Sequence, residues 1–175
     1  IVEMLDRILP NEDLEISNIA RKQFEKSGMR IITSAKLTKF IKSSNHVTCL
    51  VEDSSGSSNK YKVERVISAV GVTGNVEDIG LESTKIKINH GHIVTNEFSQ
   101  TGEPNIYAIG DVSGPPWLAH KAEHEGVVCV EKIAGENPRP LDKHRIPNCT
   151  YCHPQVASVG LTESMAREKG FKIKI

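Results

Sequence analysis

Glycine and aspartate stand side by side at positions 110 and 111, directly after the apolar run Ile-Tyr-Ala-Ile of residues 106–109. A buried parallel strand that delivers one carboxylate to a ligand reads this way, with the apolar run as its mount. Gly110 removes the side chain where a bulky group must approach the backbone. Asp111 then accepts hydrogen bonds from vicinal hydroxyls such as those of a sugar or a ribityl chain. A strand that merely ends in a Gly-Asp turn has the same residues, and their types alone leave the two readings open.

Other chemistry-bearing residues are scattered along the chain. Glu3 follows the apolar start Ile1-Val2. In a dinucleotide-binding βαβ unit an acid at that strand tip hydrogen-bonds the adenosine ribose and repels a 2′-phosphate, which points to NAD rather than NADP. A solvated acid at a strand end is the competing reading. Gly71 closes the apolar run of residues 66–70, which suits a central parallel strand whose tip admits a cofactor.

Cys149-Thr-Tyr-Cys152 followed by His153 matches the string of c-type haem attachment and, without the His, half a zinc site or a redox pair. Its flanks read as strand, turn, strand, and residues three apart on a strand point to opposite faces. A structural role is therefore the reading adopted, with a small electron carrier on Cys149 and Cys152 as the alternative. Cys49 and Cys129 fall in strand-like and helix-like stretches and read as small hydrophobes. His90 and His92 alternate in a hairpin with no further ligand at metal spacing, so no metal is assigned.

The elements that must position these residues are mostly legible. Asn11 or Asp13 caps a helix running to about Lys26, with Leu14, Ile16, Ile19, Ala20 and Phe24 as its apolar stripe and Gly28 as its left-handed end. Short β-branched runs at 35–42, 46–52 and 61–70, separated by Ser/Asn-rich turns, predict a three-stranded meander. Residues 86–95 predict a hairpin around His90-Gly91. Residues 119–134 predict a second helix, and 162–169 a third capped by Thr162. Residues 138–147 are bounded by prolines and read as a linker.

The chain has 175 residues, with 22 basic and 22 acidic side chains and no net charge. That balance gives no large field to recommend nucleic acid or an anionic membrane as a partner. No apolar run approaches the roughly 20 residues of a membrane span. The expectation is a soluble protein, and a segment of something longer, because Ile1-Val2 reads as the end of a strand already under way.

Residues 101–112, Thr-Gly-Glu-Pro-Asn-Ile-Tyr-Ala-Ile-Gly-Asp-Val, resemble the second flavin fingerprint of the FAD-dependent pyridine nucleotide-disulfide oxidoreductases. Residues 114–126, with Leu118-Ala-His-Lys-Ala122 at their centre, resemble the segment that follows it in that family. The resemblance implies an α/β fold made of parts of Rossmann-like NAD- and FAD-binding domains with a three-stranded β-meander, plus the start of an α+β interface domain. Residues 1–71 would be the C-terminal part of the NAD-binding domain, 72–143 the second segment of the FAD-binding domain, and 144–175 the start of the dimerisation domain.

For the site, the resemblance implies that Asp111 binds the ribityl chain of FAD with Gly110 beside it. The backbone around Trp117, Leu118, Ala119 and His120 would face the flavin pyrimidine edge, and Glu3 and Gly71 would orient NAD. His120 receives a positional role only, since the catalytic His of the family lies in a Glu-paired motif near the C-terminus. Trp117 stands where the family commonly has a smaller apolar residue. Val72 and Gly74 depart from the Arg-x-Pro-Asn run that usually follows the Gly71 position.

The implied activity is oxidation of a protein-bound dihydrolipoyl group with NAD as acceptor. The partners implied are a second copy in a homodimer and the lipoyl domains of 2-oxo acid dehydrogenase complexes. The compartment implied is the cytoplasm, or the mitochondrial matrix in a eukaryote. Neither the family's paired redox cysteines, its catalytic His-Glu pair nor its glycine-rich dinucleotide turns occur in these 175 residues. This segment alone is therefore expected to be inactive. Uncovered apolar faces are expected to keep it from folding by itself.

Overall fold

Residues 1–175 are all described by the computed structural model. They fall into two units, Ile1–Ala69 together with Pro147–Ile175, and Val70–Ile146.

In the first unit, helix α1 (Leu14–Lys26) connects two extended segments that meet in a parallel bridge between Val2 and Ile32. Glu3 N–H donates to Ile32 O at 2.9 Å and Ile32 N–H to Ile1 O at 2.9 Å. The helix ends as its glycine predicts: Gly28 has φ 93°, Gly28 N–H reaches Glu25 O and Met29 N–H reaches Phe24 O, both at 3.0 Å. These two bonds satisfy carbonyls that the helix leaves open. Its buried face differs from the expected stripe. Ser17 and Ala20 are buried and Phe24 partly so, while Leu14, Ile16 and Ile19 are exposed. Ser17 takes a core position because its hydroxyl donates to Ile8 O at 2.6 Å, which removes the cost of burying it.

Asp13 occupies the N-cap position of α1 but does not cap it. Its carboxylate instead accepts the Glu163 N–H at 2.7 Å, at the start of α3 (Glu163–Glu168), where Thr162 caps Met165 N as expected. Beside it the Ser158 hydroxyl donates to Glu12 at 3.0 Å. Ile8, Ala20, Ile31 and Val156 form the core under these contacts.

The meander is β1 (Ala35–Lys42), β2 (Val47–Asp53) and β3 (Ser58–Val63), antiparallel in that order. A bulge at Thr38 interrupts the β1–β2 register, and Lys36 faces Glu52 across the pair at 3.3 Å. Asp53 closes the β2–β3 turn by accepting from Ser55 N–H, Ser55 Oγ and Ser57 N–H. Chief among these, the Ser55 hydroxyl holds the Asp53 carboxyl below the usual carboxylate pKa. The sheet buries Ala35, Cys49 and Val51, while Phe40 and Ile41, consecutive on β1 and therefore on opposite faces, are both exposed.

Residues 66–71, expected as a central parallel strand, form none: they join no sheet and leave Ile67 and Val70 more than nine-tenths exposed. A parallel strand needs neighbours for its N–H and C=O groups, and no segment of this chain lies alongside. Residues 106–109 likewise lack a parallel partner. They run antiparallel to residues 99–101 through the Gln100–Tyr107 bridge, with Ala108 N–H on Ser99 O at 2.9 Å.

The second unit also contains the expected hairpin, β4 (Ile88–Asn89) and β5 (His92–Ile93), with a turn at His90 (φ 47°) and Gly91 (φ 75°). Two positive φ values at a two-residue turn match the twist of the strands. The departure at Gly74 has a local reason. Its N–H donates to Gly91 O at 3.0 Å, and a Cβ there would stand 2.7 Å from that same oxygen. A proline at 74 would have no N–H to give. Helix α2 (Ala119–Ile133) and the short pair β6 (Asn148–Thr150) and β7 (Val156–Ser158) complete the elements, with β6–β7 in the first unit. No helix is long and apolar enough to cross a membrane.

Gly74→Ala is expected to destabilise the second unit by about 1–3 kcal/mol, the usual scale of overpacking against an atom that cannot swing away. A lowered urea midpoint would report it; an unchanged midpoint would mean that the hairpin yields at no cost.

Candidate functional site

The site is built where the chain leaves the 106–109 run. Gly110 begins a single 3-10 turn, Gly110–Ser113, with φ +77° and with its open side facing the Ala122 methyl, 3.4 Å from where a Cβ would lie. Helix α2 packs against this turn through Lys121, Ala122 and Glu125, and Gly126 faces Ile109 just before it. Residues 121, 125 and 129 recur every fourth position and are all buried. Cys129 continues that face as a small apolar group, and burial pushes its thiol up from the ordinary value of 9.0.

Lys121 is the centre of the arrangement. Its side chain is fully buried and its Nζ donates to Gly110 O at 2.9 Å and Gly114 O at 2.7 Å, with Ser113 Oγ at 3.3 Å. Glu125, one helical turn on, pairs with it at 3.2 Å. The second oxygen of Glu125 accepts the Gly110 N–H at 2.8 Å, and Ser113 Oγ donates back to Gly110 O at 2.8 Å. The turn and the Gly114 that follows it therefore have backbone groups gathered inward onto one ion pair. A buried charge is tolerated only with such compensation.

Asp111 projects the other way. Its carboxylate is exposed and makes no hydrogen bond within the chain. Leu118 is the N-cap residue of α2 and offers no side-chain cap, and the first turn carries no acid, so the positive end of the helix is not neutralised by its own sequence. Ala119 is exposed and His120 half-buried in that turn. The Trp117 ring turns onto the hairpin: it stacks on His92 with centroids 5.8 Å apart, and its Nε1–H donates to His92 Nε2 at 3.2 Å. His92 Nδ1 in turn meets His90 O at 2.9 Å. That pair of bonds defines the Nδ1–H tautomer and occupies both ring nitrogens.

Of the remaining sequence-derived positions, Glu3, Cys149 and Cys152 belong to the first unit and Gly71 to the second. Glu3 ends the parallel bridge, and one of its carboxylate oxygens accepts Leu5 N–H at 2.8 Å. Gly71 has φ +109° and open space around it. Cys149 is exposed on β6, while Cys152 lies in the turn after it, not on the strand, with its Sγ donating to Pro154 O at 3.0 Å. No group of three or more His, Cys, Asp or Glu side chains is arranged to hold a metal ion.

Reading by residue type brought Gly110, Asp111 and residues 117–120 to one place but overlooked Lys121, Glu125 and Ser113. The available signal was a Lys and a Glu four apart on the same helical face as Cys129.

Residues 1–126 match the family described as pyridine nucleotide-disulphide oxidoreductase, and residues 146–175 match the dimerisation domain of that family. The chain is 55% identical to a dihydrolipoyl dehydrogenase of Rhizobium etli over 176 residues, all of this chain and 37% of that protein. It is 45% identical to the dihydrolipoyl dehydrogenase of Bacillus subtilis, again over its whole length and 37% of the relative. The chain thus spans about 37% of the length of the curated relatives it matches.

Among solved structures, the flavoprotein disulfide reductase RclA of Escherichia coli superposes with a TM-score of 0.86 at 26% identity, covering 97% of this chain and 38% of that one. LpdA of Mycobacterium tuberculosis shares the fold with a TM-score of 0.84 at 24% identity, covering 96% of this chain and 36% of that one.

The thiols should separate by burial. At pH 8 a maleimide is expected to label Cys149 first, while Cys49 and Cys129 react only after denaturant is added. A raised thiol value means that the unfolded chain ionises before the folded one, so protection of Cys129 holds below its ordinary value and weakens above it. Labelling of Cys129 at the rate of Cys149, followed by mass spectrometry of peptides, would contradict this packing.

Proposed function

The chain belongs to the pyridine nucleotide-disulphide oxidoreductase family, and from that premise we propose that it is the FAD-holding and NAD-facing portion of a dihydrolipoyl dehydrogenase. The parent oxidises a protein-bound dihydrolipoyl group with NAD as hydride acceptor. Its partners are a second copy, joined through a domain that begins with residues 146–175, and the lipoyl domains of 2-oxo acid dehydrogenase complexes. It works in the cytoplasm, or in the mitochondrial matrix of a eukaryote. One observation carries the reading: an exposed carboxylate with no internal partner stands on a turn held from beneath, next to an uncapped helix start.

A flavin dinucleotide fits the residues present. Asp111 supplies two acceptor oxygens suited to ribityl hydroxyls. Gly110 takes the positive φ of the turn and lets α2 pack close at Ala122, which leaves Asp111 on the outer side. Residues 117–120 bring the positive end of α2 to bear, which favours negative charge on a neighbouring ring. FAD, when bound, supplies two-electron transfer between a dithiol and NAD.

The chain's own contribution is to hold and orient. Asp111 binds the polyol, the helix start biases charge, and the Trp117–His92 pair braces the loop between them. For NAD the assignment rests on sequence resemblance. Glu3 keeps one carboxylate oxygen for a ribose hydroxyl while the other secures Leu5, and Gly71 gives a backbone position free of side chain.

The electron-carrier reading of Cys149 and Cys152 is the less favoured one, because the whole length of the chain aligns with dihydrolipoyl dehydrogenases.

In the full-length parent, Asp111→Ala is expected to lose bound flavin, read as visible absorption per subunit after desalting. Stoichiometric FAD in that variant would sink the assignment. Glu3→Ala is expected to cut the preference for NADH over NADPH about tenfold in kcat/KM, equivalent to about 1.4 kcal/mol; an unaltered ratio would remove Glu3 from the nucleotide site.

A further inference from the structure

The buried Lys121–Glu125 pair calls for a role other than stability, since replacing a buried ion pair by well-packed apolar residues is often neutral or stabilising. Its contacts indicate what that role is. Lys121 reaches the carbonyls of Gly110 and Gly114, which bracket Asp111 on either side, and the hydroxyl of Ser113 between them. Glu125 takes the Gly110 N–H. These bonds of the two side chains outside the pair end on residues 110–114. Asp111 itself has no internal bond to set its direction, so the turn sets it.

An ammonium has three protons and no directional plane, and can therefore serve both carbonyls at once.

We propose that Lys121, with Glu125, is the positioning residue that aims Asp111 at the hydroxyls of the flavin's polyol chain. This rests on the reading of Asp111 as the FAD contact. Without the pair the carbonyls of 110 and 114 turn toward water, the 3-10 turn opens, and the carboxylate samples many directions instead of one. The expected signature is coupling to Asp111, because a group that acts through another loses its effect once the other is neutralised.

The test uses the full-length holoenzyme carrying Lys121→Met with Glu125→Gln, and separately Ser113→Ala, each in the native background and in Asp111→Asn. FAD release is followed by recovery of flavin fluorescence, and thermal midpoints are recorded for every variant. The double substitution should release FAD about tenfold faster, the scale of one lost charge-assisted hydrogen bond, and Ser113→Ala about threefold faster. Neither should change release in the Asp111→Asn background, although midpoints shift there as in the native one.

Equal acceleration in both backgrounds, or none in the native one, would overturn the positioning role and leave a structural ion pair. If the double variant does not fold, the Ser113→Ala cycle decides alone. Asp111→Asn releasing FAD at the native rate would show instead that the Asp111 charge does not hold FAD, and the positioning role, which is to aim that charge, would fall with it.

Discussion

A fully buried ammonium must be surrounded by acceptors, and the way Lys121 meets that demand governs the second unit. Its own helix can supply one partner, Glu125 at the next turn, but not enough to replace water. The rest come from carbonyls in an irregular segment. The constraint runs in both directions: the charge is tolerable only while residues 110–114 keep their shape, and a glycine-rich turn with little preference of its own keeps that shape because the charge requires it. A loop gains the rigidity of a helix without being regular.

The consequence for electrostatics is equally direct. Lys121 and Glu125 cancel each other inside, so the charge that remains at the surface of the turn is that of Asp111. A lone buried lysine would have neutralised it at short range. Pairing removes that field while keeping the donors, and the helix start, uncapped and free of acids, provides the positive counterpart nearby.

How much of this was readable in the chain depended on how local the cause was. Helix α1, the meander, the I′-like turn at His90-Gly91 and the span of α2 follow from periodicity and turn residues within a few positions, and the mixed α/β class they imply stands. The apolar stretches at 66–71 and 106–109 carry equally clear strand composition, yet strand pairing is decided by a neighbour, which composition does not contain. The stripe of α1 erred for a related reason. Ile16 and Ile19 are apolar enough for a core, but Ser17 found a carbonyl to donate to and took the inward face. Asp13 has the chemistry of a cap and performs it for α3 rather than for its own helix. At the site, Gly110 and Asp111 were legible because their types are unusual after an apolar run. Lys121 was not, because a lysine on a helix is by default a solvated side chain, and only the loop folded over it makes it a core residue.

The stack of Trp117 on His92 has an optical side. The chain contains a single tryptophan, and it lies in the short connection between the Asp111 turn and α2, in contact with an imidazole whose two nitrogens are both engaged. All the indole emission of these 175 residues therefore originates at one spot, the segment whose geometry joins carboxylate to helix. The fold thus carries its own fluorescent probe at the place where a label would otherwise have to be introduced.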